Sequence, residues 1–255
     1  MKEQKAKILL FDIETAPNLG YFFNLYQEGN ILGIKEHWYI LSFAWKWLDE
    51  KQTHVLGLPN FSSYKKDKQN DFALVKKLWE LFDEADIIIA HNGGPFDIKK
   101  SNVQFIKHGL RPPSPYKIVD TKKEAKQHFR FDSNKLDDLG DFLGLGRKLQ
   151  HNGWELWHGC LNGDKKSWDV MLKYNKQDVV LLEKVYSKLL PWMTNHPNIN
   201  LLNGTVAACA NCGSHRVQKR GYSITRTAKK ERYQCQDCGA WSLGKSQSVK
   251  DLIIR

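Results

Sequence analysis

Four acidic residues in three short motifs have the types and settings of metal ligands. They lie in the segments FDIET, HNGGPFD and YNKQDV, and are Asp12, Glu14, Asp97 and Asp178. Residues two apart on a strand project to the same face, so the first two carboxylates can point at one spot. Two Mg²⁺ or Mn²⁺ ions carry four positive charges, which four hard carboxylate ligands balance. The set therefore predicts a two-metal site suited to hydrolysis of a phosphodiester bond.

Each motif is expected to lie on an element that positions its carboxylate. The apolar run before Asp12 predicts a strand over residues 7–13. Tyr174 and Asp178 are four apart, which places them on one face of a helix predicted over residues 164–190. Asp97 follows a buried strand predicted at 86–90 and a Gly-Gly-Pro loop, so we expect it to open a helix. At a helix start the dipole favours the ionised carboxylate.

The remaining pattern predicts an α/β fold with a mixed sheet flanked by helices. Strands predicted near 37–48 and 53–58 are expected to form an antiparallel meander with the first strand. The other predicted elements are helices over 71–83, 96–108 and 136–143, and a strand over 116–120. The nine tryptophans follow no helical or strand period, and we expect most of them to pack in the core or between elements, with no functional role.

The three motifs, in this order, resemble the exonuclease motifs of the DEDD superfamily of 3′–5′ exonucleases. They are most similar to those of the proofreading domains of family B DNA polymerases and their stand-alone relatives. The resemblance covers roughly residues 7–190 and implies a ribonuclease H-like fold. It also implies that the metal ligands are Asp12, Glu14, Asp97 and Asp178. Tyr174 stands four residues before the last aspartate, which is the spacing of the tyrosine branch of the superfamily.

Three further motif residues are candidates for contact with the reacting groups. A free phenol has a pKa near ~10, so we expect Tyr174 to hold the attacking water in line while bound metal does most of the activation. Asn92 is predicted either to contact the substrate backbone or to satisfy a turn. Phe96 is predicted either to stack on a terminal base or to pack in the core.

Four of the five cysteines form two CxxC pairs near the C-terminus. Two such knuckles can supply four thiolates to one structural Zn²⁺, and the predicted ligands are Cys209, Cys212, Cys235 and Cys238. We therefore predict a zinc ribbon over residues 206–245, joined by a linker over 191–205 to an exonuclease domain over residues 1–195. So small a module needs the metal to fold. It resembles the zinc ribbons of some transposase proteins, which implies DNA contact.

The charge of the chain predicts a polyanionic partner. Residues 201–255 contain ten Lys or Arg and three acidic residues, or +7 of the total formal charge of +11. Clustered cations attract backbone phosphates, so nucleic acid is the expected partner, with DNA favoured. The predicted contacts in the ribbon are Arg220, Arg226, Lys229 and Lys230. The ribbon could instead dock a protein, whose identity the sequence leaves open, or serve stability alone.

The sequence thus predicts a metal-dependent 3′–5′ exonuclease that acts on DNA, with single strands or 3′ ends favoured. Two alternatives stay open: an exoribonuclease, and a catalytically inactive adaptor that binds nucleic acid. The longest apolar runs have four or five residues, and the segment MKEQKAK leads into a strand. We therefore expect a cytoplasmic protein without a membrane partner.

Overall fold

The structure is a computed structural model that describes residues 5–23, 31–203, 208–226 and 228–248. Residues 204–207, which include the end of the predicted linker and the start of the predicted ribbon, lie outside the described residues. Among the residues described, no helix has the length and apolarity that a bilayer crossing requires.

Within the described part of the chain, seven strands precede the long helix. They are β1 (Ile8–Thr15), β2 (Leu19–Tyr21), β3 (Gly33–Glu36), β4 (Ile40–Trp47), β5 (His54–Gly57), β6 (Ile87–Ala90) and β7 (Lys117–Asp120). Five of them form one sheet in the order β5-β4-β1-β6-β7. The pairs β1–β4 and β4–β5 are antiparallel, whereas β1–β6 and β6–β7 are parallel. The predicted meander and the predicted mixed sheet are therefore confirmed.

Among the residues that the structure describes, six α-helices flank this sheet or its edges. They are α1 (Phe72–Glu84), α2 (Asp97–Lys107), α3 (Thr121–His128), α4 (Leu136–Phe142), α5 (Trp154–Asn162) and α6 (Lys165–Leu189). The sequence predicts α1, α2, α4 and α6 but misses α3, α5 and the separate β2–β3 hairpin. Asp120 begins α3 as its N-cap and accepts hydrogen bonds from the backbone N–H groups of Lys122 and Lys123.

Strand β1 is buried on both faces of the sheet, which holds its carboxylate-bearing end rigidly. Leu9 and Phe11 pack into the cluster that contains α1, whereas Leu10 packs into the opposite cluster with α6 residues such as Val185. Alternate side chains of a strand point to opposite faces, so an apolar run without alternation is the pattern of a strand covered on both sides.

The C-terminal part is a small three-stranded sheet attached at one end of the larger one. Its elements are α7 (Ile199–Asn203), β8 (Val217–Ile224), β9 (Ala228–Cys235) and β10 (Trp241–Ser248), with strand order β10-β9-β8. Asn211 Nδ2 donates to the carbonyl groups of Leu190 and Met193 at 2.9 and 3.1 Å. The Ala6 N–H, just before β1, donates to Asn203 Oδ1 at 2.7 Å. The attachment thus lies at the opposite end of β1 from Glu14.

Candidate active site and metal centres

Three of the predicted metal ligands converge at the C-terminal end of β1. Asp12 and Glu14 lie on this strand and Asp178 lies on α6, and each offers a carboxylate oxygen within 4.8 Å of the other two. The two-residue spacing aims both strand side chains at α6, as the sequence predicts. Each of the three is a hard oxygen ligand of the kind that Mg²⁺ and Mn²⁺ prefer.

The fourth predicted ligand, Asp97, approaches the same strand from the start of α2. It is the first residue of that helix, as expected, and is 4% exposed. Its Oδ1 accepts a hydrogen bond from the Ile13 N–H at 3.4 Å, between the two strand carboxylates. Asp97 is not one of the three residues of the 4.8 Å cluster, but its charge acts on that cluster.

Burial and mutual repulsion disfavour the ionised carboxylates. Burial raises the pKa of Asp12 well above its ordinary value, and the charges of Asp97 and Glu14 raise it further. Burial and the charge of Asp178 raise the pKa of Glu14 to about 8. Burial also raises the pKa of Asp97 to about 6, despite the hydrogen bond from Ile13. Backbone hydrogen bonds at the helix start lower the pKa of Asp97, in the direction that its position predicts, but desolvation is the larger effect.

The carboxylate cluster fits a divalent cation on two observations. Asp178 Oδ1 is buried and has no hydrogen-bond partner among the described residues. An uncompensated buried carboxylate oxygen is costly, and ligation of a cation would satisfy it. Neighbouring carboxylates add to the effect of burial in raising the pKa of Asp12 and of Glu14, and a bound cation would offset this repulsion.

Asn175 holds Asp12 in place, and the sequence reasoning missed it. Its Nδ2 donates to Asp12 Oδ2 at 2.7 Å, and its Oδ1 accepts from Ser42 Oγ at 3.0 Å. The amide is fully buried, so this relay fixes the orientation of the carboxylate. The signal that could have found Asn175 is its position three residues before Asp178, which places the two on the same helix face.

Lys148 is a second residue that the sequence reasoning missed. Its Nζ donates to Asp178 Oδ2 at 2.5 Å and to the Tyr174 hydroxyl at 3.1 Å. Burial alone would lower the pKa of this lysine, but the charges of Asp178 and Asp12 outweigh burial and raise it. Lys148 lies on the loop between α4 and α5, 30 residues before its partner. No periodicity connects such distant residues.

Tyr174 lies next to Asp178 on α6, as its four-residue spacing predicts. It is 8% exposed, and burial together with the charge of Asp178 raises the pKa of its phenol above the ordinary value. The phenol is therefore neutral at physiological pH. It can orient a water molecule by hydrogen bonding, but it does not act as a base of its own accord.

The structure describes the setting of Asn92 and decides one alternative for Phe96. The Asn92 backbone is left-handed with φ of 64°, and its N–H donates to Asp120 Oδ1 at 2.9 Å, as in a turn; a substrate contact by its side chain stays a prediction. Phe96 is 42% exposed, with Lys100 Nζ 5.0 Å from its ring centroid. The alternative that Phe96 packs in the core is therefore wrong.

The four cysteines of the C-terminal sheet form a second cluster that fits a metal. Their sulfur atoms lie within 4.8 Å of one another, and the Cys209–Cys238 and Cys212–Cys235 pairs are 3.6 Å apart. A tetrahedral zinc with bonds of about 2.3 Å separates its sulfurs by about 3.8 Å. A disulfide would bring two sulfurs to about 2 Å. The arrangement therefore fits one tetrahedral ion and a zinc ribbon.

The basic residues predicted to bind nucleic acid lie on this ribbon, away from the carboxylates. Arg220, Arg226 and Lys229 are exposed and Lys230 is half-buried. Lys229 Nζ lies 3.9 Å from the ring centroid of Tyr222. The ribbon is attached near Leu190, and the stretch of α6 from Asp178 to that point spans about 18 Å at ~1.5 Å per residue.

A mixed sheet of this strand order, with acidic residues on its first strand and on its last long helix, defines a nuclease of ribonuclease H-like fold. A family model described as RNase_H superfamily matches residues 9–190, and the chain belongs to this superfamily. The ribonuclease H-like fold that the three motifs imply is therefore confirmed at the level of the superfamily.

The fold is also found in a larger enzyme. The chain is similar to a solved structure described as the family B DNA polymerase from the hyperthermophilic archaeon Pyrobaculum calidifontis, with a TM-score of 0.54 and 14% sequence identity. The match covers 88% of this chain but 32% of the polymerase, and at this identity it shows a shared fold alone. No curated protein matches the chain.

Proposed function

We propose that the protein is a 3′–5′ exonuclease of the tyrosine type that hydrolyses phosphodiester bonds of DNA. The observation that carries the proposal is the convergence of Asp12, Glu14 and Asp178 within 4.8 Å. With Asp97 beside them, these residues would hold two Mg²⁺ or Mn²⁺ ions. Bound ions of this kind lower the pKa of an attacking water and stabilise the leaving 3′ oxygen.

The surrounding residues have distinct roles in this mechanism. Asn175 fixes the Asp12 carboxylate, because it bonds both that group and Ser42. Tyr174 donates a hydrogen bond to the attacking water or accepts one from it, and so keeps the water in line with the scissile bond. Lys148 favours the ionised form of Asp178, against the effect of burial, and brings a positive charge to the place where the phosphate gains negative charge. We propose that the Asn92 side chain and Phe96 contact the terminal nucleotide.

The ribbon is proposed to bind the same nucleic acid at a distance from the scissile bond. We place the exonuclease domain at residues 1–195 and the ribbon, with one structural Zn²⁺, at residues 206–245. Because the attachment lies about 18 Å along α6 from Asp178, the basic residues of the ribbon would contact nucleotides remote from the 3′ end. The ribbon should thus add affinity for long substrates rather than select the terminal base. We further propose that the protein acts in the cytoplasm.

An exoribonuclease and an inactive adaptor are the competing functions. The same carboxylates cleave either polymer, whereas an adaptor has no need of desolvated, mutually repelling acids. Labelled DNA and RNA oligomers of one sequence, incubated with Mg²⁺ or Mn²⁺, separate these functions. We expect wild type and the control Asp169→Ala, which alters an exposed residue of α6, to release mononucleotides from DNA. We expect none from Asp12→Ala.

Each other outcome identifies a competitor. Faster release from RNA than from DNA would indicate an exoribonuclease. Binding of both polymers by wild type without release of nucleotides from either would indicate an adaptor. Equal activity of wild type and Asp12→Ala would show that the carboxylate cluster is not the catalytic site.

A further inference from the structure

A groove lined by tryptophans opens directly beside the carboxylate cluster. It has a volume of about 360 Å³, and its wall begins at Thr15, the residue after Glu14. We define the tryptophan groove by its side chains Trp38, Lys100, Trp154 and Trp157. Trp157 Nε1 donates to the Thr15 carbonyl at 3.1 Å. This bond fixes one wall of the groove to the strand that carries Asp12 and Glu14.

The tryptophan groove continues into a larger cavity of about 680 Å³. This second cavity, the hairpin chamber, lies between the β2–β3 hairpin and α5 and shares Pro17, Asn18 and Trp154 with the groove. Its described lining contains Lys68 and two histidines, and Glu36 is the one acidic residue among them. Lys68 and Glu36 balance each other in charge, so the net positive charge along the path comes from Lys100 of the groove.

The groove combines exposed aromatic faces with a fixed cation. Trp154 is 60% exposed, although tryptophan is usually well buried. Lys100 Nζ lies 4.0 Å from the ring centroid of Trp38 and donates to Thr15 Oγ1 at 3.3 Å. Proteins that hold single-stranded nucleic acid use this combination, because bases stack on aromatic rings while cations follow the phosphates.

We propose that the tryptophan groove and the hairpin chamber bind the unpaired nucleotides that precede the 3′-terminal nucleotide. The proposal rests on the proposed exonuclease function and deepens it by assigning a substrate form. Trp154 offers a stacking surface for a base, and Lys100 lies where the backbone enters the carboxylate cluster. A base can stack on an aromatic face only when it is unpaired, so stacking on Trp154 selects single-stranded nucleotides. A duplex must therefore separate before its 3′ end reaches Glu14.

Equilibrium binding in EDTA tests this assignment without relying on cleavage. The probe is an eight-nucleotide oligothymidylate, and the readout is quenching of tryptophan fluorescence together with fluorescence anisotropy of the labelled probe. Stacking contributes enough per base that we expect Trp154→Ala to bind roughly fivefold to a hundredfold more weakly than wild type. Trp154→Phe keeps an aromatic face and should bind within about threefold of wild type.

Trp192→Ala is the matched control, because Trp192 is 58% exposed but lies at the end of α6, outside the groove. It should bind the probe as wild type does, and a blunt duplex of the same length should bind without dependence on Trp154. Wild-type affinity in Trp154→Ala would overturn the proposal, as would an equal loss for the duplex. If the groove accommodates a protein segment instead, Trp154→Ala should bind the probe with wild-type affinity.

Failure of this proposal and failure of the proposed function are distinguishable. An inactive adaptor would still lose affinity for the probe in Trp154→Ala, while releasing no nucleotides from any substrate. An active exonuclease whose substrate follows another path would degrade DNA, yet its probe affinity would not depend on Trp154.

Discussion

Replacing Asp12 by asparagine should make the metal-free protein more stable while removing its metal response. Two ionised carboxylates within 4.8 Å of each other would repel by about 3.5 kcal/mol or more at an effective dielectric constant of 20. Lys148 already offsets part of this repulsion through its ion pair with Asp178. We therefore expect Asp12→Asn to gain about 1–3 kcal/mol in EDTA at pH 8, or roughly 2–12 °C in Tm. The amide oxygen of the new side chain can still accept the hydrogen bond from Asn175.

Thermal unfolding in EDTA and across a Mn²⁺ titration measures both effects. A ligand that binds the folded state stabilises it by RT ln(1 + [L]/Kd), so the Tm of wild type should rise with Mn²⁺ and that of Asp12→Asn should rise much less. Asp169→Asn removes an exposed charge on the same long helix and should match wild type in both conditions. The reasoning is refuted if Asp12→Asn has a lower Tm than wild type in EDTA, or if it keeps the full increase with Mn²⁺.

Three further predictions concern residues around this site and in the ribbon. Lys148→Met should lower kcat about a hundredfold while the Tm increase with Mn²⁺ persists, and wild-type kcat would contradict its role. Burial lowers the pKa of His91 to about 4, so its stabilising effect is present above pH 6.5 and is lost as pH falls toward 4. Urea titrations at pH 7 and pH 5 measure how far the free energy of unfolding falls between the two pH values. This fall should be about 2 kcal/mol smaller in His91→Asn than in wild type. Cys235→Ser should contain less zinc than wild type when measured by atomic absorption. Its affinity should fall more for a DNA 30-mer than for a DNA 6-mer, and equal losses of affinity would contradict a remote ribbon contact.

The sequence predicts the core of the site because its signals are local. The spacing of Asp12 and Glu14 depends on the pleat of one strand, and that of Tyr174 and Asp178 on one turn of one helix. The structure brings three of these residues together as expected. Their pKa values depend on burial by the whole domain, so desolvation raises the pKa of Asp97 although its predicted place at the start of α2 is confirmed.

Contacts between distant segments account for what the sequence could not supply. Lys148 reaches Asp178 from a loop, and Trp154 lies on α5, a helix that the sequence reasoning missed. The exposure of Trp154 depends on neighbours that come from the β2–β3 hairpin rather than from adjacent residues. The position of the ribbon depends in the same way on hydrogen bonds from Asn211 to the end of α6.

The most direct test of the central claim is the product pattern from one single-stranded DNA labelled separately at each end. With Mg²⁺ or Mn²⁺, we predict that the 3′ label leaves first as a mononucleotide while the 5′-labelled strand shortens one nucleotide at a time. EDTA or Asp12→Ala should abolish both signals. Internal cuts, loss of the 5′ label first, or cleavage that persists in EDTA would contradict a metal-dependent 3′–5′ exonuclease built on the carboxylates of β1 and α6.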